Sequence, residues 1–162
     1  MRDKNFNRDD YYLRIAEVVA SAGTCVRRNY GAVIVKDNRI VSVGYTGSPS
    51  GTVNCCDTGK CKRQEMNIPS GQRYELCKSV HAEQNAIING NPLQMKGATL
   101  YLCGIDAETN MVLPKSQPCE MCKRAIINAG ISTVVSREFD GVVTASNEHS
   151  VIKIEDVKSY IK

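Results

Sequence analysis

Four residues at the starts of two predicted helices have the types and spacing of a metal site. His81 and Glu83 stand at the start of one helix, and Cys119 and Cys122 stand at the start of the other. Because the two cysteines are three positions apart, they share one helical face and can bind one ion. A helix N-terminus also favours thiolate over thiol. Two thiolates and a neutral histidine would give zinc three protein ligands and leave the fourth position open for water, as catalytic zinc requires.

Glu83 fits the role of a general base beside such a site. Zinc with two thiolates is electrically neutral, so a bound water is less acidified than on three histidines and a nearby base is useful. Glu83 is too close to His81 in sequence to be a comfortable fourth ligand, but it is well placed to take a proton from water. The alternative is that His81 and Glu83 form an ordinary first turn, while Cys119 and Cys122 are buried thiols or half of a four-cysteine structural site. The full His-x-Glu and Pro-Cys-x-x-Cys pattern favours the catalytic interpretation.

Composition predicts one domain over residues 1–162. The chain has 42% hydrophobic residues and no Trp, which predicts a single ordinary core. The net charge of +4 comes without a Lys/Arg run longer than two, so nucleic acid is not an expected partner. No stretch resembles a signal peptide or a membrane span, so no membrane partner is expected. With eight cysteines and no signal, we expect thiols and metal in a reducing cytoplasm.

Hydrophobic periodicity predicts alternating helices and strands, which indicates an α/β sandwich on one sheet. The predicted helices are 9–23, 80–90 and 119–129, the last with Pro118 in its first turn and Gly130 just past its end. The predicted strands are 31–37, 39–45, 98–105 and 131–136, and 106–117 is a polar connection with a small hairpin at 108–110. In the tail, 142–145 or 150–155 is expected to add a strand, and a short helix follows. Residues 46–79, with six Gly or Pro and four Cys, are predicted to be a functional or metal-stabilised loop.

The chain resembles the deoxycytidylate (dCMP) deaminase family of the cytidine deaminase superfamily over roughly residues 9–136. The resemblance is carried by TCVRRNYGAVIVKDNRIVSVGYTGSPSG, NCCD, HAEQNAI and PCEMCKRAIINAGI. It implies a three-layer α-β-α cytidine-deaminase-like fold with a central mixed sheet, and a homo-oligomer, with a hexamer favoured. It also implies zinc-dependent hydrolysis of dCMP to dUMP and ammonia in pyrimidine deoxynucleotide metabolism. Regulation by dCTP and dTTP, with Mg²⁺ on the triphosphate, is implied through the 44–51 stretch.

The resemblance also implies roles for individual residues. Activated water attacks C4 of the cytosine, Glu83 protonates N3 and then the leaving amine, and the backbone N–H of Ala82 contacts the base carbonyl. Thr46 occupies the place where the family usually has an Asn that binds the sugar, so sugar discrimination is in question. Ser48 and Ser50 are further candidates for substrate binding.

The remaining cysteines and basic residues give two more predictions. Some relatives carry a second, structural zinc, and four thiolates would complete its tetrahedral coordination here. The alternative is that these cysteines are unligated thiols or form a disulfide. Cys103 is expected in the core. The candidate ligands are Cys25, Cys55, Cys56, Cys61 and Cys77. The phosphate candidates are Arg27 and Arg28, with the cluster Lys60, Lys62 and Arg63. For each basic residue the alternative is a solvated surface charge, and Tyr74 could stack on a base or simply pack.

Two other functions stay open on the sequence. The chain could deaminate another cytosine nucleotide or nucleoside, or an RNA adenosine, although its scattered positive charge argues against RNA. It could also be a non-catalytic, zinc-stabilised accessory or binding module. The presence of Glu83 argues against that class, because a purely structural zinc site has no use for a general base.

Overall fold

The fold is described from a computed structural model, which covers residue 4, residues 6–138 and the backbone of residues 149–153. The five strands are β1 Arg28–Lys36, β2 Arg39–Tyr45, β3 Thr99–Asp106, β4 Thr133–Arg137 and β5 His149–Lys153. The six α-helices are α1 Arg8–Ala20, α2 Cys55–Thr58, α3 Lys62–Glu65, α4 Ala82–Asn89, α5 Pro92–Met95 and α6 Glu120–Asn128. A single 3₁₀ turn spans Tyr74–Leu76. Within the described part of the chain, no helix is both long and apolar enough to cross a membrane.

The strands form one mixed sheet in the order β2-β1-β3-β4-β5. Strands β3 and β4 are parallel, and every other neighbouring pair is antiparallel. Helix α6 forms the crossover between the two parallel strands, as a parallel pair requires. The predicted mixed central sheet is therefore confirmed.

Alternation along the central strands divides the core between the two faces of the sheet. One face packs on α1 through Val33, Val35, Tyr101 and Cys103. The other face packs on α4 and α6 through Ala32, Ile34, Leu100 and Leu102. All eight side chains are buried. A helix, a sheet and a second layer of helices follow one another, which confirms the three-layer α-β-α prediction.

The turn between β1 and β2 matches its sequence. Asp37 and Asn38 have φ values of 50° and 61°, the left-handed pair that a two-residue type I′ hairpin turn requires. Asp and Asn tolerate this region better than other non-glycine residues. The predicted antiparallel hairpin is therefore present, and β2 has the predicted bounds.

Several element boundaries differ from the predictions. Helix α1 ends at Ala20, not at residue 23, and β1 begins at Arg28 because residues 28–30 pair with residues 104–106 of β3. Cys119 is the N-cap of α6, so Pro118 precedes the helix instead of lying in its first turn. Helix α5 was not predicted, although Pro92 lies in its first turn and the Asn91 side chain caps it.

The tail and the two long connections complete the comparison. The 106–117 connection forms the expected tight hairpin, with the Asn110 N–H donating to the Asp106 carbonyl at 2.9 Å. The loop at 46–79 holds α2, α3 and the 3₁₀ turn. Strand β5 overlaps the predicted 150–155 strand, whereas 142–145 and the expected last helix lie outside the described residues.

Candidate active site

The two helix starts that the sequence singled out meet in space. His81 is the N-cap residue of α4 and Cys119 is the N-cap residue of α6. The two helices lie on the same face of the sheet and lead toward the parallel strands β3 and β4. Their N-termini therefore point to the same edge, at the carboxyl ends of those strands, where open α/β sheets bind ligands.

The three candidate ligand atoms converge at distances that suit one zinc ion. The Nδ1 atom of His81 is 3.5 Å from the Cys119 sulfur and 3.4 Å from the Cys122 sulfur. A tetrahedral zinc with Zn–S of about 2.3 Å and Zn–N of about 2.0–2.1 Å would separate nitrogen and sulfur by about 3.5 Å. The donor set of one imidazole and two thiols is also one that zinc prefers. Geometry and donor chemistry therefore both fit zinc.

Electrostatics at the site favour a bound cation. A hydrogen bond from the Cys122 thiol, then one from His81, lowers the pKa of Cys119 to about 4. The pKa of Cys122 is raised, first because its thiol donates to Cys119 and then by burial. One thiolate is therefore present beside the imidazole even without an ion, and a bound cation would favour loss of the second thiol proton.

Glu83 is a buried carboxyl group next to these ligands. Its exposed fraction is 4%, and burial raises its pKa, with the charge of His81 acting in the opposite direction. Glu83 lies in the first turn of α4, and its side chain interacts with the Cys122 thiol. A carboxyl group held in this position can accept and return protons at the base of the cavity.

A cavity of about 120 Å³ opens above these residues. Its floor is formed by His81, Ala82, Glu83 and Cys119. Its walls come from the end of β1 and the segment before it, from Thr46, and from the long loop. The wall residues that matter below are Arg27, Arg28, Tyr30, Thr46, Arg63 and Tyr74. The cavity therefore contains candidate metal ligands, and basic and aromatic groups line it.

The cavity brings together some of the predicted substrate residues and leaves others out. Ala82, Thr46, Arg27 and Arg28 line it. The hydroxyl of Thr46 accepts a hydrogen bond from the Tyr30 N–H at 3.0 Å, which leaves its O–H and one acceptor lone pair for a ligand. Ser48 and Ser50 do not line the cavity: Ser48 is half-buried, and Ser50 is exposed. Their role in substrate binding stays a prediction.

The candidate cysteines of a second zinc site separate into two groups. Cys25, Cys61 and Cys77 line the cavity. Burial raises the pKa of Cys77, and the charges of Cys25 and Cys61 add to that effect. Cys55 faces the Ser79 hydroxyl at 4.0 Å, and Cys56 is exposed beside Asp57. Within the described residues, the set of His81, Cys119 and Cys122 is the one group that brings three donor atoms within 4.8 Å. A second zinc stays a prediction.

Aromatic and amide groups that the sequence did not single out also reach the cavity. Tyr30 and Gln117 line it, and burial raises the pKa of Tyr30. The Gln117 side-chain amide donates to Glu138 at 2.6 Å. Only their positions in the sequence could have indicated a role at the site. Tyr30 lies at the start of a strand, and Gln117 directly precedes the Pro-Cys motif.

Comparison with known proteins places the chain in a family. The family model described as the cytidine and deoxycytidylate deaminase zinc-binding region matches residues 6–138. The chain belongs to this family, which confirms the resemblance seen in the sequence and assigns the domain to the deaminase class of hydrolases. Among curated proteins, it is 34% identical to the deoxycytidylate deaminase of Mycobacterium phage D29 over 132 residues, covering 78% of this chain and 91% of the relative.

Two other relatives define the extent of the likeness. The chain is 29% identical to the deoxycytidylate deaminase of Schizosaccharomyces pombe, covering 78% of this chain but only 36% of the yeast protein. It therefore spans about a third of the length of that relative. The crystal structure of dCMP deaminase from the cyanophage S-TIM5 in apo form superposes with a TM-score of 0.54 at 25% identity. That match covers 82% of this chain and 84% of the cyanophage chain, and it supports the three-layer fold.

Proposed function

We propose that this chain catalyses the hydrolytic deamination of dCMP to dUMP and ammonia. The observation that carries the proposal is the buried Glu83 carboxyl beside the converging donor atoms of His81, Cys119 and Cys122. Basic residues line the same cavity, as a nucleotide substrate requires. The relatives named deoxycytidylate deaminase support the choice of substrate.

In this proposal each group has a defined task. His81, Cys119 and Cys122 would hold zinc, which would supply Lewis-acid activation of a water molecule at neutral pH. Glu83 takes a proton from that water and delivers protons to N3 of the cytosine and then to the leaving amine. Because Glu83 is buried, its proton exchanges with the substrate more readily than with bulk solvent.

Binding of the base, sugar and phosphate falls to the cavity walls. The backbone N–H of Ala82, in the first turn of α4, is free of an intrahelical partner and can donate to the base carbonyl. Thr46 can donate its hydroxyl proton to the sugar. Arg27 and Arg28 also line the cavity and supply positive charge for the phosphate.

The proposal is tested by zinc analysis combined with an absorbance assay on dCMP, deoxycytidine, cytidine and dCTP. Glu83→Gln preserves the shape of the side chain but removes its charge, so we expect normal zinc content and a loss of kcat of about 10²–10⁴-fold. Glu120→Gln is the matched control, since this carboxylate is exposed on the neighbouring helix and pairs with Lys123. Full activity of Glu83→Gln would refute the assigned role of Glu83.

Other outcomes of the same assay separate the alternatives. Preferential turnover of cytidine, deoxycytidine or dCTP would assign the chain to a different cytosine substrate. Full zinc loading with no turnover of any of these compounds would favour a non-catalytic binding module.

Four further properties are proposed on the family likeness. These are a second, structural zinc in the cysteine-rich loop, regulation by dCTP and dTTP with Mg²⁺, a homo-oligomer with a hexamer favoured, and a cytoplasmic location. The exposed apolar side chains of Val43 and Tyr45 on the sheet-edge strand β2 support self-association. Light scattering tests the oligomer, zinc stoichiometry tests the second site, and assays with either triphosphate test regulation.

A further inference from the structure

Arg63 is an arginine buried inside the long loop. Its exposed fraction is 6%, although it lies in a polar segment that is otherwise mostly exposed. Its Nε donates to the Gln72 carbonyl at 3.1 Å, and its Nη2 donates to the Pro69 carbonyl at 3.0 Å. The backbone of residues 69–72 thus wraps around the guanidinium and fixes its position.

No carboxylate compensates this buried charge among the residues that the structure describes. The carboxylate closest in sequence, Glu65, is exposed. The carboxylate of Glu75 is 63% exposed and is bound to Arg73 at 2.5 Å. Buried arginines are normally paired, because desolvation of an isolated charge is costly. The guanidinium also has N–H donors beyond the two bonded to carbonyls. The site therefore has both the charge and the free donors to bind an anion.

Tyr74 places this charge beside the catalytic centre. The guanidinium carbon of Arg63 lies 4.5 Å from the centre of the Tyr74 ring. That ring and the His81 imidazole meet in a T-shaped arrangement, with 5.1 Å between ring centres and an interplanar angle of 89°. Arg63, Tyr74 and His81 all line the same cavity. The guanidinium is therefore separated from a candidate zinc ligand by one aromatic ring.

We propose that Arg63 is a specificity-determining residue that binds the 5′-phosphate of the substrate, with Tyr74 orienting its guanidinium toward the cavity. In a nucleoside monophosphate the phosphate is separated from the reacting base by one sugar, which suits a cation set one ring away from His81. Arg is suited to this task because its planar fork binds phosphate in a bidentate manner.

Burial distinguishes Arg63 from the other two arginines of the cavity. Arg28 is exposed and Arg27 is half-buried, so water competes with the substrate at both. A cation already desolvated by the protein loses less on binding phosphate and gains more from it, since screening inside the cavity is weak. Arg27 and Arg28 then attract the nucleotide, while Arg63 discriminates monophosphate from nucleoside.

The test compares kcat and KM for dCMP and for deoxycytidine in Arg63→Met and Arg63→Lys, with zinc content measured in each. Arg124→Met is the control, because Arg124 is exposed on α6 and does not line the cavity. We expect Arg63→Met to lower the preference for dCMP over deoxycytidine by about 10- to 100-fold, chiefly through KM for dCMP. Arg63→Lys should lose less, and Arg124→Met should lose none.

An unchanged preference, including a proportional loss for both substrates, would overturn the assignment, since a merely structural arginine affects both alike. If Arg63→Met does not fold, the same ratio in Arg63→Lys decides.

This inference rests on the proposed function, and the two can fail separately. Calorimetric titration of inorganic phosphate into the zinc-loaded wild-type and Arg63→Lys proteins measures the anion site without turnover. Weaker phosphate binding by Arg63→Lys, in a protein that deaminates neither dCMP nor deoxycytidine, would refute the proposed function and retain the anion site. Normal deamination of dCMP with equal phosphate affinity and an equal substrate preference in both proteins would refute the role of Arg63 alone.

Discussion

Gly44 of β2 lies directly against the backbone of α4 at Ala86. A Cβ atom on Gly44 would stand 2.2 Å from the Ala86 nitrogen and 2.5 Å from the Ala82 carbonyl oxygen. Only a glycine permits this approach, since neither the helix backbone nor the strand can move aside cheaply. The helix that carries His81 and Glu83 is therefore positioned by a backbone-to-backbone contact with the sheet.

Gly44→Ala should consequently damage both stability and the metal site. We expect a loss in the free energy of unfolding of about 3 kcal/mol or more, measured by urea denaturation, with weaker zinc retention, because α4 must shift. Gly47→Ala is the control, since its Cβ would find its nearest atom at 3.4 Å. Equal stability of the two variants would contradict the close packing described here.

The ion pair between Arg137 and Asp10 is a second test of packing. Arg137 is 1% exposed, and its Nη2 lies 2.8 Å from the Asp10 carboxylate, whose side chain is 29% exposed. Asp10→Asn removes the negative charge and leaves the cation buried. We expect a loss of about 2–3 kcal/mol in unfolding free energy, below the range for fully buried pairs because solvent reaches Asp10.

The exposed pair of Arg73 and Glu75 provides the contrast for that measurement. Their side chains are 59% and 63% exposed. Arg73→Gln should therefore change the unfolding free energy by less than about 1 kcal/mol. If Asp10→Asn is no more destabilising than Arg73→Gln, the ion pair of Asp10 does not stabilise the fold.

Removal of a single ligand should release one zinc per chain. We expect Cys119→Ser and Cys122→Ser each to lose one equivalent relative to the wild-type protein, because a hydroxyl is a much poorer zinc ligand than a thiolate. The control is Cys103→Ala, which alters a buried thiol in β3 that faces α1. Zinc analysis by mass spectrometry checks the stoichiometry, and undiminished zinc in both serine variants would exclude this site.

Thiol labelling of the native protein should separate Cys56 from Cys103. Cys56 is exposed, whereas Cys103 is fully buried, and burial followed by the charge of Glu17 raises the pKa of Cys103 to about 12. Because the thiolate is the reactive form, Cys103 stays protonated and unreactive as the pH rises from 7 to 9.

Peptide mapping after brief treatment with iodoacetamide provides the measurement. Cys56 should become modified, while Cys103 reacts only after unfolding. Labelling of Cys103 in the folded protein at pH 8 would contradict its position between β3 and α1.

The elements that the sequence predicted well are those whose signals are local. Alternation and an Asp-Asn turn define the β1–β2 hairpin, and helical spacing with Gly130 defines the end of α6. The grouping of His81 with Cys119 and Cys122 was predicted because the His-x-Glu and Pro-Cys-x-x-Cys motifs together indicate a shared metal site. The predicted boundaries were wrong where pairing with a distant strand determines the local structure. At the start of β1, residues 28–30 form a strand because β3 lies alongside them.

The walls of the cavity were harder to predict, for a physical reason. Arg63 belongs to a short basic cluster that looks solvated in sequence, and its burial depends on how the backbone of residues 69–72 folds around it. Periodicity carries no information about such a loop, because no regular element sets its path. Ser48 and Ser50 do not line this cavity, and their role in substrate binding stays a prediction.

The cavity is formed partly by helix starts and partly by the long loop, and this division determines how substitutions in each part affect the protein. The side chains of His81, Glu83 and Cys119 stand at helix starts, and α4 packs closely against the sheet, so a substitution that shifts α4 affects folding as well. The wall that carries Arg63 and Tyr74 belongs to a loop outside the sheet, and hydrogen bonds from Arg63 to the backbone of residues 69–72 help to hold that loop. Substitutions in the loop therefore change the wall of the cavity, whereas the positions of the candidate zinc ligands depend on how the two helices pack on the sheet.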